Sequence, residues 1–191
     1  MHTRRKIFQL GLGLATAGAA TALPGVAKAS INFEFPRARP ASLEGGRTLQ
    51  VVNLHTGEKV SATYWENGQY LTDGLSELNH VLRDHRTGDV IDMDPSLMDL
   101  LVNLRERLGS GEAFHIISGY RSPKTNAMLR SSSSGVAKKS FHMLGQAVDI
   151  RLPDRSSSDI RRVAMAMERG GVGYYPKSDF VHIDTGHVRS W

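Results

Sequence analysis

There is no cysteine in the 191 residues. A zinc site closed by thiolates is therefore excluded. The lack also suits a chain bound for an oxidising compartment, where stray thiols pair wrongly. Long apolar runs are missing too. A membrane-spanning helix needs about 20 apolar residues, and the best candidate, Leu10 to Ala22, is shorter and rich in Gly and Ala. No basic run and no RNA-binding signature appears, which removes nucleic acid from the expected partners. Internal repeats and coiled-coil heptads are likewise absent.

The apolar run is preceded by Thr3-Arg4-Arg5-Lys6-Ile7-Phe8 and followed by Ala27-Lys28-Ala29. A charged n-region, an apolar h-region and a small-x-small cleavage site make a signal peptide, and the paired arginines give it the twin-arginine form that exports folded proteins. The expected location is the periplasm. Removing Arg4, Arg5, Lys6 and Lys28 from the 24 basic residues leaves 20 against 19 acidic ones, a net of +1 rather than +5. The pI of about 9.7 therefore largely reports the signal peptide. The expected scheme is a signal at 1–29, an extended lead-in at 30–46 with Pro36 and Pro40, and one domain at 47–191. Within it lie an N-terminal hairpin at about 47–66 and a metal-binding core at about 92–191.

Periodicity predicts the elements. Thr48–Leu54 and Lys59–Trp65 alternate as strands of a hairpin, and Asn67-Gly68 marks a further turn. Asp73 is placed to cap a helix running to about His85, with Leu75, Leu78, Val81 and Leu82 on its apolar face. Asp94-Pro95 opens a second helix that ends at Leu108 before Gly109. Ala113–Ser118 reads as a strand, Lys124–Ser131 as a short helix, Ser131–Lys139 as a polar loop, and Ser156–Arg169 as a helix. Helices alternating with short strands predict an α+β domain, with helices packed on a mostly antiparallel sheet.

The chemistry concentrates near the end of the chain. In Ser140-Phe-His142-Met-Leu-Gly145-Gln-Ala-Val-Asp149, Gly145 permits a sharp turn between His142 and Asp149. Gln146–Leu152 then alternates as a strand, with Ala147, Asp149 and Arg151 on one face and Val148, Ile150 and Leu152 on the other. An aspartate inside such an apolar run costs free energy unless it is paired or ligates a metal. Phe180–Asp184 is a second strand, with His182 and Asp184 on one face. Two histidines and a carboxylate suit Zn²⁺, and three protein ligands leave a position open, as catalytic sites do. From the residues alone, a metal site and a pair of polar histidines beside a core both stand.

The Ser-x-His-x-x-Gly-x-Ala-x-Asp block and the later His-x-Asp resemble the zinc peptidases of the lysostaphin, D-Ala-D-Ala metallopeptidase and sonic hedgehog group. The small periplasmic murein endopeptidases of the D-Ala-D-Ala branch are the most similar. Ile117-Ser-Gly-Tyr-Arg-Ser-Pro123, Gly170-Gly-Val-Gly-Tyr-Tyr-Pro176, Phe180–Gly186 and Val188-Arg-Ser-Trp191 extend the likeness over about Asp92–Trp191. It implies that His142, Asp149 and His182 hold one zinc per chain, that peptidoglycan is the partner, and that an amide in its cross-links is hydrolysed. Many relatives carry a glutamate base three residues before the last histidine ligand. This chain has Asp179 there, one methylene shorter.

Arg121 is the expected binder of a substrate carboxylate or a developing oxyanion, because its fork of donors fits either. Tyr120 and Ser140 are expected to bind substrate. Asp179 is the expected base, and Asp184 either orients an imidazole or replaces Asp179. His187 is expected at the cleft edge, whereas His55, His80, His85 and His115 are expected to be structural. Two other activities compete: a D,D- or L,D-carboxypeptidase acting on stem peptides, and a cell-wall-binding protein without turnover.

Overall fold

The computed structural model describes residues 45–133 and 135–191. The signal segment 1–29 and nearly all of the lead-in 30–46 lie outside the described residues.

Strands β1 (Arg47–Asn53) and β2 (Lys59–Glu66) form the expected hairpin, antiparallel with Val51 opposite Val60. Asn67 and Gly68, both at positive φ, turn the chain into β3 (Gln69–Tyr70). Helix α1 (Thr72–Val81) starts one residue before Asp73, which sits in its first turn and caps nothing. It also stops four residues short of His85. The reason is tertiary: Asn53 Nδ2 donates to the Val81 carbonyl at 2.8 Å and the Tyr120 N–H to the Leu82 carbonyl at 2.7 Å. Acceptors claimed by other elements end the helix there.

Helix α2 (Pro95–Leu108) has the predicted ends. Asp94 accepts from the Ser96 N–H, Pro95 occupies the first turn and Gly109 closes the helix at φ 60°. Strand β4 (Phe114–Ser118) follows, then helix α3 (Pro123–Ser132), capped by Ser122 Oγ. A 3-10 turn at Phe141–Leu144 leads through Gly145 into β5 (Ala147–Arg151). Gly145 has φ 69°, and a Cβ there would lie 2.8 Å from the Asp92 carbonyl oxygen. Both facts require glycine. Helix α4 (Ser157–Met167), capped by Ser156, precedes β6 (Gly171–Tyr175), β7 (Phe180–Asp184) and β8 (Arg189–Ser190).

The strands form one eight-stranded sheet in the order β3-β2-β1-β4-β5-β7-β6-β8. Only β1–β4 and β6–β8 pair in parallel. This is the expected α+β architecture. Helix α1 packs on β2, α2 on β1 and α4, and α4 on β6 and β7. Leu97, Met98, Leu101 and Leu104 of α2 meet Val148, Ile150, Val181 and Ile183 of the central strands in one buried core. Alternation along β5 and β7 then turns Asp149 and His182 to the opposite face.

Candidate metal centre

Strands β5 and β7 run antiparallel with Asp149 directly opposite His182. The 3-10 turn brings His142 to the same place. All three are buried, and one donor atom from each lies within 4.8 Å of the others. His142 Nε2 is 3.1 Å from His182 Nδ1, His182 Nδ1 is 2.9 Å from Asp149 Oδ1, and His142 Nε2 is 3.3 Å from Asp149 Oδ1.

The far side of each ring fixes what faces inward. His142 Nδ1 lies 2.7 Å from the Gly119 carbonyl oxygen, which can only accept, so the ring proton is on Nδ1 and Nε2 bears a lone pair. His182 Nε2 lies 3.0 Å from Asp184 Oδ2, so the same logic puts a proton there; Nδ1, 2.9 Å from Asp149 Oδ1, bears a second proton in the imidazolium and a lone pair facing the centre in the neutral ring. With His182 neutral, two nitrogen lone pairs and a carboxylate oxygen converge, an arrangement that repels itself unless a metal ion or a proton on Nδ1 lies between them. Four-coordinate zinc with bonds of about 2.0–2.1 Å places its ligand atoms about 3.3 Å apart. The donor set and its spacing fit that ion.

Burial alone would raise the Asp149 carboxyl, but His142 and His182 outweigh it and hold the group well below the usual carboxylate range. Burial opposes a charge on His182, yet Asp149 and Asp184 outweigh burial and raise the imidazole to about 8. A proton and a metal ion therefore compete for the same Nδ1 lone pair.

The centre lies at the floor of a cleft of about 590 Å³, walled by Phe141, Tyr175, Phe180 and Trp191. Arg121 lines it. The Arg121 N–H donates to the His142 carbonyl at 3.1 Å, and its guanidinium donates to Ser118 Oγ at 3.3 Å and stands 3.5 Å from Asp149 Oδ2. Ser140 and His187 line the cleft as well. A second hollow of about 620 Å³, between β2, β3 and α1, holds no cluster of three metal-ligating side chains among the described residues.

Two expected site residues, Tyr120 and Asp179, are placed differently from their expected roles, and Asp184 is placed for one of the two expected of it, orienting an imidazole. Tyr120 is outside the cleft lining and packs against the hydrophobic core. Asp179, at φ 50° in the β6–β7 turn, points its carboxylate away from the cleft and accepts from Ser157 Oγ at 2.8 Å. Its neighbours Ser178 and Phe180 do line the cleft. Asp184 is fully buried, and its two oxygens accept from Gly171 N, Gly186 N, Arg189 and His182, so no free lone pair faces the cleft. Sequence reasoning gave Arg189 no role. The available hints were a basic residue five positions after a strand-embedded aspartate and its place in the Val188-Arg-Ser-Trp191 block.

The family described as Peptidoglycan L,D-endopeptidase MepK matches residues 41–191. The peptidoglycan L,D-endopeptidase MepK of Escherichia coli (strain K12) is 45% identical over 170 residues, covering 89% of this chain and 93% of the relative. The probable peptidoglycan L,D-endopeptidase MepK of Haemophilus influenzae is 41% identical over 146 residues, covering 76% of this chain and 78% of the relative. No solved structure matches the chain. A family match over residues 41–191, together with two such relatives, establishes that this chain belongs to the peptidoglycan L,D-endopeptidase MepK family, in the D-Ala-D-Ala peptidase-like group that its motifs resemble.

Proposed function

We propose that this protein is a zinc-dependent murein endopeptidase that hydrolyses an L,D-amide in the cross-linked peptides of peptidoglycan. The observation that carries the proposal is the convergence of His142 Nε2, Asp149 Oδ1 and His182 Nδ1 at the floor of an open cleft. One zinc bound there would polarise the scissile carbonyl and acidify the attacking water. The protein's own groups do the rest. Arg121 binds the substrate carbonyl or a neighbouring carboxylate from the cleft wall, where its fork of donors stabilises negative charge as it develops. Ser140 offers a hydroxyl at the opposite rim. Asp184 fixes the orientation of His182, and Asp149 and His142 complete the ligand set.

Proton transfer is assigned to Asp179 on its place in a turn whose neighbours line the cleft. To serve, the carboxylate has to leave Ser157 Oγ and turn inward. The shorter carboxylate at this position is the one feature that favours a second reading, a wall-binding protein without turnover. The substrate lies outside the cytoplasmic membrane, so the assignment goes with export through the twin-arginine signal at 1–29 to the periplasm. No described helix is long and apolar enough to cross a membrane.

The test is incubation of the purified protein with intact peptidoglycan, with and without chelator, and identification of the released fragments by mass spectrometry. Monomeric muropeptides from dimers, lost on chelation and restored by zinc, are the expected result. Release of single terminal residues would convert the assignment to a carboxypeptidase. Zinc binding with no product would convert it to a binding protein.

A further inference from the structure

Asp184 has no contact with solvent, and a carboxylate so placed is held only by what surrounds it. Its Oδ1 accepts from two backbone donors, Gly171 N at 3.1 Å and Gly186 N at 2.9 Å, and from Arg189 Nη1 at 3.0 Å. Among the described residues its Oδ2, the oxygen that meets His182, has one other partner, Arg189 Nη2 at 2.6 Å. The backbone donors anchor one oxygen, and the guanidinium is the polar group that holds the other against His182.

Arg189 is itself held in place. Strand β8 runs parallel to β6 with Arg189 opposite Gly171. The guanidinium is 5.0 Å from the ring centroid of Phe141 and 4.9 Å from that of Trp191, distances at which cation–π attraction acts. Nη1 also donates to the His187 carbonyl at 3.1 Å. A Cβ at Gly171 would run into both the Asp184 carboxylate and the Arg189 guanidinium, so the backbone is shaped to this pair. Trp191 closes the arrangement: its ring lies 5.3 Å from that of His182, and its Nε1 donates to the Tyr175 hydroxyl at 2.9 Å.

We infer that Arg189 is a positioning residue for the metal centre: by a two-pronged bond it holds Asp184 Oδ2 on His182 Nε2, and so keeps the Nδ1 lone pair of His182 aimed at the ion. The inference rests on the zinc-site reading above. Lysine cannot substitute, because an ammonium is a point charge without the planar fork that fixes both carboxylate oxygens.

The test uses Arg189→Lys, Asp184→Asn and the double variant in the full chain, each shown to be folded by its thermal transition. Zinc affinity is measured by chelator competition. In parallel, the imidazole ¹⁵N shifts of His182 are recorded in chelator-treated protein at alkaline pH, where the ring is neutral. Arg189→Lys is expected to weaken zinc by about 10–100-fold, the range for partners of metal ligands, and to shift the His182 signals from a single Nε2–H tautomer towards a mixture. In the Asp184→Asn background the same change should cost less than about threefold, because residues acting through one another are not additive. Unchanged zinc affinity with unchanged His182 signals would overturn the inference. So would an equal loss in both backgrounds, which would make Arg189 an independent structural support. If the parent protein binds no zinc, the zinc-site reading fails on its own, and the His182 spectra still decide whether Arg189 sets the ring.

Discussion

Zinc affinity should depend steeply on pH, with a break near pH 8. His182 is the source. Its two ring nitrogens face Asp149 Oδ1 at 2.9 Å and Asp184 Oδ2 at 3.0 Å, and these carboxylates raise its pKa to about 8 from an ordinary 6.5. The protonated ring has no lone pair to give. With a pKa of about 8, about one-tenth of the apoprotein has the lone pair available at pH 7 and about one-hundredth at pH 6. Apparent zinc affinity should therefore rise about fiftyfold from pH 6 to pH 8, gain about a further twofold above pH 8, and level off. For the apoprotein's fold the sign is opposite. A raised histidine adds stability that is fully present below 6.5 and is lost as pH rises through about 8. Chelator-treated protein should thus lose thermal stability over the interval in which zinc affinity climbs. The assay is competition with a chromophoric chelator at several pH values, corrected for the chelator's own protonation, alongside thermal melts of the apoprotein. Asp184→Asn removes one of the two carboxylates and should move the break to lower pH. A flat affinity between pH 6 and 8, or a break that Asp184→Asn leaves in place, would refute the reasoning.

Asp179→Asn should retain zinc and lose about 10²–10⁴-fold in kcat, the usual share of a general base; a rate within a few-fold of the parent would leave the carboxylate as the anchor of Ser157 and remove its assignment as base. Arg121→Lys should keep fold and zinc but cut activity on cross-linked muropeptides, and the split between kcat and KM tells transition-state from uniform binding; an unaltered kcat/KM would remove Arg121 from the site. Asp84 is buried and accepts from the Ser122 N–H at 2.9 Å and the Arg86 N–H at 3.0 Å, so it holds the loop that presents Arg121. Burial alone would raise its carboxyl, but hydrogen bonds from Thr125 and Ser122 outweigh that and hold it well below the usual range. Its contribution to stability is therefore present above the ordinary carboxylate range and fades as pH falls below it. Asp84→Ala should cost about 1–3 kcal/mol by leaving buried donors unpaired, flatten part of the acid limb and raise KM with zinc retained; an unchanged melting temperature would contradict it.

The grouping of His142, Asp149 and His182 was legible because each lies in a segment whose local pattern fixes its direction. Alternation put Asp149 and His182 on one strand face each, and Gly145 marked the turn that returns His142 to them. The ends of α2 were legible for the same reason: Asp94, Pro95 and Gly109 act on their own neighbours. What failed to show depends on distant partners. The early stop of α1 is set by Asn53 and Tyr120 claiming its last carbonyls. Tyr120 follows the strand end that presents Arg121, yet its ring goes to the core, and no short-range pattern separates the two. The tie between Asp179 and Ser157 joins a turn to a helix 22 positions away in sequence. Arg189 gained a role only once β8 was known to lie beside β6.

These long-range contacts have a common consequence. Val148, Ile150, Val181 and Ile183 are buried against the helices, while Asp149 and His182 leave the same two strands on the other face. Close packing permits little rotation of a strand whose every second side chain is enclosed. The core therefore sets the directions of two ligands before any metal arrives. The third ligand has no such support, since His142 sits on a short 3-10 turn. It is held instead by polar ties on either side: its ring to the Gly119 carbonyl and its own carbonyl to the Arg121 N–H. Residues 119–121 thus serve two purposes, fixing the tautomer of His142 and presenting Arg121 to the cleft. A change there moves metal and substrate contacts together, whereas Arg189 reaches His182 through Asp184 and also touches the cleft walls Phe141 and Trp191. A side-chain change at Arg121 therefore alters the substrate contact and leaves the backbone tie to His142 in place.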